Sequence, residues 1–200
     1  MKVGSKLVAD HVNRFIWLDV SKPFDRPMAL EVIEILKKLD GESKNKITFY
    51  IRGVGGDMYA FTELGHAVDE LKSWIEFVPF GFVRSGCFWI TQWGDDCFAV
   101  EGTQMIFHRA SISFGRNTRM SQVECLKNLD LLKLVDAFQL WSFTRRGHPI
   151  KDIVKLLQEE ATISTNQAIN LRLVSGIYDQ NLFNENRQKA ELLIKEKYSQ

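Results

Sequence analysis

Four stretches of this chain carry residue types that chemistry can use. Gly53-Val-Gly55-Gly56 lies between a strand-like run and a helical one. Glycines there either free backbone N–H groups to face an anion at a helix N-terminus or make a tight turn. No phosphate fingerprint fits: no Lys-Ser/Thr follows, and the dinucleotide G-x-G-x-x-G spacing fails at Gly56 and Asp57. Ser85 follows a strand-like run and precedes Gly86 and the apolar Phe88-Trp89-Ile90. At such a junction a hydroxyl is either a helix cap or a nucleophile beside amides able to hold an oxyanion. His108 closes the apolar run Met105-Ile-Phe, where a rigid strand end would hold a general base; the bland alternative is a half-buried imidazole satisfied by backbone. Glu159 and Glu160 stand where a helix gives way to Thr162-Ile-Ser, a place from which an acid can orient a distant histidine or simply be solvated.

The elements that must position these groups alternate. Residues 14–20 and 47–51 read as strands, 27–39 and 60–74 as helices, and 75–80 as a third strand leading into the Ser85 stretch. Residues 97–100 and 104–108 are short strand candidates, and 110–119 a polar loop. Residues 121–146 form one long helical pattern ended by Gly147, with Pro149 just beyond. Residues 150–160 form a short helix, and 164–173 another that opens on the capping pair Ser164 and Gln167. Residues 184–200 read as a charged terminal helix with polar faces. Strands alternating with helices predict an α/β fold of parallel βαβ units.

Composition narrows the class without choosing a function. Among 200 residues, 26 basic and 25 acidic side chains give a net charge of +1, which makes no electrostatic case for nucleic acid or an anionic membrane. Three cysteines with no C-x-x-C suggest neither a disulfide framework nor a zinc site, and none of His11, His66, His108 and His148 has metal-ligand spacing to another donor. No cofactor is expected. The N-terminus lacks a secretory apolar run, so a reduced, cytoplasmic setting is expected for a single domain over residues 1–200, its core about 14–178.

Taken in order, the four stretches resemble the caseinolytic (ClpP) serine peptidase family. Ile47-Thr-Phe-Tyr-Ile-Arg-Gly-Val-Gly-Gly is similar to that family's strand running into its N-S-P-G-G turn. Gly81-Phe-Val-Arg-Ser-Gly resembles G-x-A-A-S-M-G, and Gln104-Met-Ile-Phe-His resembles R-V-M-I-H. Ser164-Thr-Asn-Gln-Ala-Ile-Asn-Leu-Arg-Leu-Val resembles S-A-x-E-A-x-E-Y-G-L-V, and counting back from its serine puts the family's acid on Glu160. The resemblance spans about residues 14–178.

It implies a ClpP/crotonase-like fold of repeated ββα units with a long handle helix. It implies a serine endopeptidase acting on peptides or unfolded proteins in an oligomeric chamber. Ser85 would be the nucleophile, His108 the base and Glu160 the orienting acid. The amides of Gly55 or Gly56, and of Gly86, would form an oxyanion hole worth about 3 kcal/mol per donor. The helix over 121–146 would pack stacked heptameric rings face to face. The segment before the first strand is shorter than that in which the family carries its axial loops, so dependence on an AAA+ unfoldase is not expected. The chain departs from the family in Gly53-Val54 for Ser-Pro, Arg84 for a small residue, Gly86 for the side chain after the serine, and Glu160 for Asp. Those departures motivate an alternative, a catalytically inactive structural subunit of the same fold; a crotonase-like acyl-CoA enzyme is a third reading.

Overall fold

A computed structural model of the chain describes residues 4–109, 111, 120–145 and 147–199. The loop expected over 110–119 therefore lies, Ser111 apart, outside the described residues. The fold is mixed α/β, with seven helices and an eight-stranded sheet among the described residues. Strands β2 (Phe15–Val20), β3 (Ile47–Gly53), β4 (Ile75–Arg84) and β5 (Asp96–Ala99) lie side by side and parallel, as the alternation predicts. Three strands escaped that reading, one described below and two at the edges of the sheet. The polar start forms β1 (Lys6–Asp10), paired antiparallel with β2, and Gly176–Ile177 forms β8, parallel to β5. A strand of two residues has no period to detect.

Central strands are apolar on both faces because both faces are covered. On one side, Ile16, Leu18, Phe49, Ile51 and Phe77 pack beneath α1 (Arg26–Glu42) and α2 (Met58–Glu70). On the other, Phe15, Trp17, Tyr50, Val78 and Phe80 meet the last helix, α7 (Gln180–Tyr198), through Phe183 and Ala190. This corrects the reading of the terminal helix as polar all round: it begins four residues earlier, and its seat includes Asn186 donating to the Tyr50 hydroxyl, which bonds that of Tyr178.

Strand β4 forks. Its first half pairs with β5 at Glu76 and Phe77, and its last three residues pair with β6 (Gln104–Ile106). Between the halves the register with β3 jumps from Ile51↔Pro79 to Gly53↔Val83, around Gly81 at φ 65°. The strand therefore runs past the predicted 75–80 to Arg84, and the bend aims its end away from β5. Strand β6 in turn pairs antiparallel with β7 (Thr162–Ser164), in the gap between the two predicted helices 150–160 and 164–173, where the sequence reading assigns no strand. The four-residue α3 (Gly86–Trp89) follows β4, with one 3₁₀ turn after it.

The long helix α4 (Gln122–Thr144) starts at a capping box of Ser121 and Glu124. Two short helices, α5 (Ile150–Gln158) and α6 (Thr165–Asn170), complete the helical layer, α6 opening on the predicted Ser164–Gln167 capping box. No helix among the described residues is long and apolar enough to cross a membrane.

At the end of α1, Asp40 accepts from the Ser73 amide and hydroxyl at 2.8 and 2.7 Å, the Lys72 amide at 3.1 Å and Lys44 Nζ at 3.0 Å. Burial alone would raise this carboxyl, but the hydrogen bonds outweigh it and hold it at about 2, below the ordinary 3.8. A lowered folded-state pKa stabilises the fold fully above the unfolded value, and that contribution is lost as pH falls through the folded one. Urea stability of the native chain should therefore exceed that of Asp40→Asn by a constant margin above about pH 5, and the margin should shrink between about pH 4 and pH 2. A margin independent of pH would remove Asp40 from this role.

Candidate active site

Ser85 is the junction between β4 and α3, and its backbone is unusual. It sits at φ 54°, ψ −129°, a region that a residue with a Cβ enters only at a cost of about 1–3 kcal/mol. Three contacts hold it there. Its amide donates to the Ile106 carbonyl of β6 at 3.2 Å, and its carbonyl accepts from Phe88 and Trp89, both at 3.0 Å. The hydroxyl makes no capping hydrogen bond, so the helix-cap reading of this serine fails. A strained strand-to-helix turn that leaves the hydroxyl unspent is the geometry of a nucleophile elbow.

The glycine turn lies against it. A Cβ on Gly55, at φ 86°, would stand 2.7 Å from the Ser85 Cβ and 2.8 Å from the Arg84 carbonyl oxygen, so only glycine admits this approach. The proline of the family's turn is absent for a local reason: the Val54 amide donates to the Val20 carbonyl at 3.0 Å, a bond that proline cannot make. The amide of Gly55 points to the buried sulfur of Cys87. Burial pushes that thiol up to about 12, so it stays neutral and is no competing nucleophile. Gly56, unlike Gly55, lines the cavity beside Ser85. The Gly86 amide, in the first turn of α3, has no backbone acceptor among the described residues.

His108 lies two residues beyond the end of β6 and shares two cavities with Ser85. One, of about 310 Å³, is walled by Met58, Tyr59, Leu131, Leu132 and Val135; the other, of about 10 Å³, reaches inward to Phe88, Trp89 and Phe143. His108 Nδ1 lies 2.7 Å from the Arg109 carbonyl oxygen. A carbonyl only accepts, so Nδ1 donates in this contact, and in the neutral ring Nε2 then keeps the lone pair, the tautomer that a base for Ser85 needs.

Glu160 is not brought into either cavity. It is exposed, at φ 47°, one residue before the Ala161 carbonyl that accepts from the Phe107 amide at 2.8 Å. Extending the antiparallel register of Ile106↔Thr162 by two residues puts it opposite His108. Among the described residues no hydrogen bond joins Ser85, His108 and Glu160. Arg84 is exposed and lines neither cavity. Gln139, which sequence reasoning passed over as one more position on a long helix, lines both. No group of three potential metal ligands occurs among the described residues.

Gly86 explains itself by the space around it. A Cβ there would meet the Phe61 ring at 2.1 Å, and Phe61 stacks on Phe24 at 4.3 Å. The ring from α2 thus fills the volume that a side chain after the serine would need.

A mixed α/β sheet ends one strand in a strained serine, with a histidine in the same cleft, an arrangement that hydrolase chemistry can use. A profile of the Clp protease family matches residues 5–181, and the chain belongs to that family. It is thus a ClpP-like peptidase at family level. The match takes in every element through β8 and stops as α7 begins. No curated protein matches the chain.

The Gly86–Phe61 contact predicts coupled substitutions. Gly86→Ala should cost about 1–3 kcal/mol in urea unfolding, and the double variant Gly86→Ala, Phe61→Val should cost less than the two singles together by about 1 kcal/mol. Strict additivity would show that Phe61 does not exclude the side chain.

Proposed function

We propose that this protein is a serine endopeptidase that cleaves peptides or unfolded proteins within an oligomeric chamber in the cytoplasm, residues 1–200 acting as one unit. The observation that carries the reading is the strained, uncapped Ser85 sharing a cleft with a histidine in the basic tautomer. Ser85 Oγ attacks the scissile carbonyl carbon while His108 Nε2 takes its proton. The amides of Gly56 and Gly86 hold the resulting oxyanion; Gly55 serves by its closeness to Ser85 rather than by its amide. His108 then hands the proton to the leaving amine, and water, activated by the same imidazole, releases the acyl group. Glu160 is the orienting acid: a turn of the His108 ring away from the Arg109 carbonyl brings Nδ1 toward the position opposite it in the β6–β7 register.

Assembly rests on α4. Val123, Leu134 and Trp141 fall on one line at helical period with Leu126 and Leu129 beside them, and all five are exposed, from 47% to 67%. The core side of the same helix buries only Gln139, Ser142 and Phe143. Stacked heptameric rings packed through this helix cover the stripe and enclose the cleft. This reading does not require an AAA+ unfoldase. The missing hydrogen bonds among Ser85, His108 and Glu160 favour one alternative, a catalytically silent structural subunit of the same fold.

A fluorophosphonate probe separates the two: it should label the assembled wild type and fail on Ser85→Ala, whereas a silent subunit stays unlabelled in both. On a peptide substrate His108→Ala should lower kcat/KM by about 10³-fold or more. Glu160→Gln should lower it by about 10- to 100-fold, because the Arg109 carbonyl already holds the tautomer. Mass photometry of the wild type should show two stacked heptamers. Leu126→Asp with Leu134→Asp should part the rings, and a wild type that is monomeric at micromolar concentration contradicts the chamber.

A further inference from the structure

Gln139 lies on the inward face of α4 and is 4% exposed. Its Nε2 reaches only a weak acceptor, the Met58 sulfur, at 3.6 Å, and its Oε1 has no partner. It is the one buried side-chain oxygen among the described residues left in that state. Buried amide oxygens are ordinarily paired, so one without a partner, on a side chain that lines a cleft, marks a place where another molecule supplies the donor. The cavity that it shares with Ser85 is lined by the apolar Met58, Leu131, Leu132 and Val135 and by the polar groups of Asp57, Tyr59 and Ser111.

We propose that Gln139 is the specificity-determining residue of the pocket beside Ser85, and that it selects substrates with glutamine or asparagine on the acyl side of the cleaved bond. The inference rests on Ser85 being the nucleophile. The pocket of about 310 Å³ has room for a side chain of that size, while the inner space of about 10 Å³ holds no more than a water. Apolar walls receive the methylenes, and the buried oxygen accepts from the terminal N–H. A carboxylate there would set oxygen against oxygen. An ammonium would turn to the Asp57 carboxylate, which lines the same cavity, and would leave Oε1 without a donor. Leucine or methionine would fit the walls but leave Oε1 open. A primary amide also pairs with Gln139 in either orientation of the Gln139 amide, since each carries a donor and an acceptor.

The test is a set of fluorogenic peptides differing only at that position, cleaved by the full-length assembled protein, with active sites counted by fluorophosphonate labelling of Ser85. For the wild type, kcat/KM with glutamine or asparagine should exceed that with leucine or methionine by about tenfold or more, with glutamate poorest. Gln139→Met, which keeps the shape and removes the acceptor, should invert the order of glutamine and leucine. Gln139→Glu should move the preference to lysine or arginine. Labelled wild type that favours leucine overturns the proposal whatever the variants do. So does a labelled Gln139→Met variant with an unchanged profile, the result expected if a water between Gln139 and the unpaired Trp89 indole N–H satisfies both groups. Absence of labelling in the wild type instead removes the nucleophile, and this inference with it.

Discussion

The site depends on one backbone junction. Ser85 occupies a conformation that serine avoids, and it stays there because its amide is bound to β6, its carbonyl to α3, and Gly55 closes the space beneath its Cβ. Each contact comes from a different part of the chain: the fork of β4 brings β6 alongside, and β3 delivers the glycine turn. The bond to the Ile106 carbonyl also fixes the serine to the strand that carries His108 two residues later. The proposed nucleophile and base are thus tied to one ladder, a more precise arrangement than two separate loops provide.

The residues that depart from the family pattern are explained by what they touch. Without proline at position 54, an amide is free to tie the turn to β2, so the turn is stiffened by a hydrogen bond in place of a ring. Gly86 yields its volume to Phe61, which keeps the wall of the site packed by a side chain from another helix. Arg84 points into solvent and crowds nothing in the cleft. Position 160 stands apart from these, because the exposed Glu160 is placed by register and not by contact. In the proposed role its longer side chain would suit an acid that must reach for the imidazole.

Much of this was legible where local chemistry decides structure. The capping boxes at Ser121–Glu124 and Ser164–Gln167 form as spaced, and the parallel strands appear where apolar runs alternate with helical stripes. What escaped reading is set by distant partners. The strand β7 is three residues long and exists because β6 offers an edge, and β4 continues past Phe80 only by changing neighbours. The helix α7 reads as charged because its apolar positions are sparse, yet Phe183 lands on an aromatic patch made by strands far from it in sequence. Likewise, nothing local separates Gln139 from any other helical glutamine; only its burial beside the cleft does so.

The long helix joins the two scales of the molecule. One side of α4 supplies Leu131, Leu132, Val135 and Gln139 to the cavity at Ser85, and the other presents Val123, Leu126, Leu129, Leu134 and Trp141 to solvent. A rigid element cannot shift on one face and stay still on the other. A neighbouring subunit seated on the outer stripe, as proposed, would therefore also bear on the wall of the cavity beside Ser85. An apolar stripe that wide costs solubility in an isolated chain. Burying the stripe between subunits would remove that cost, which is the physical case for the proposed assembly.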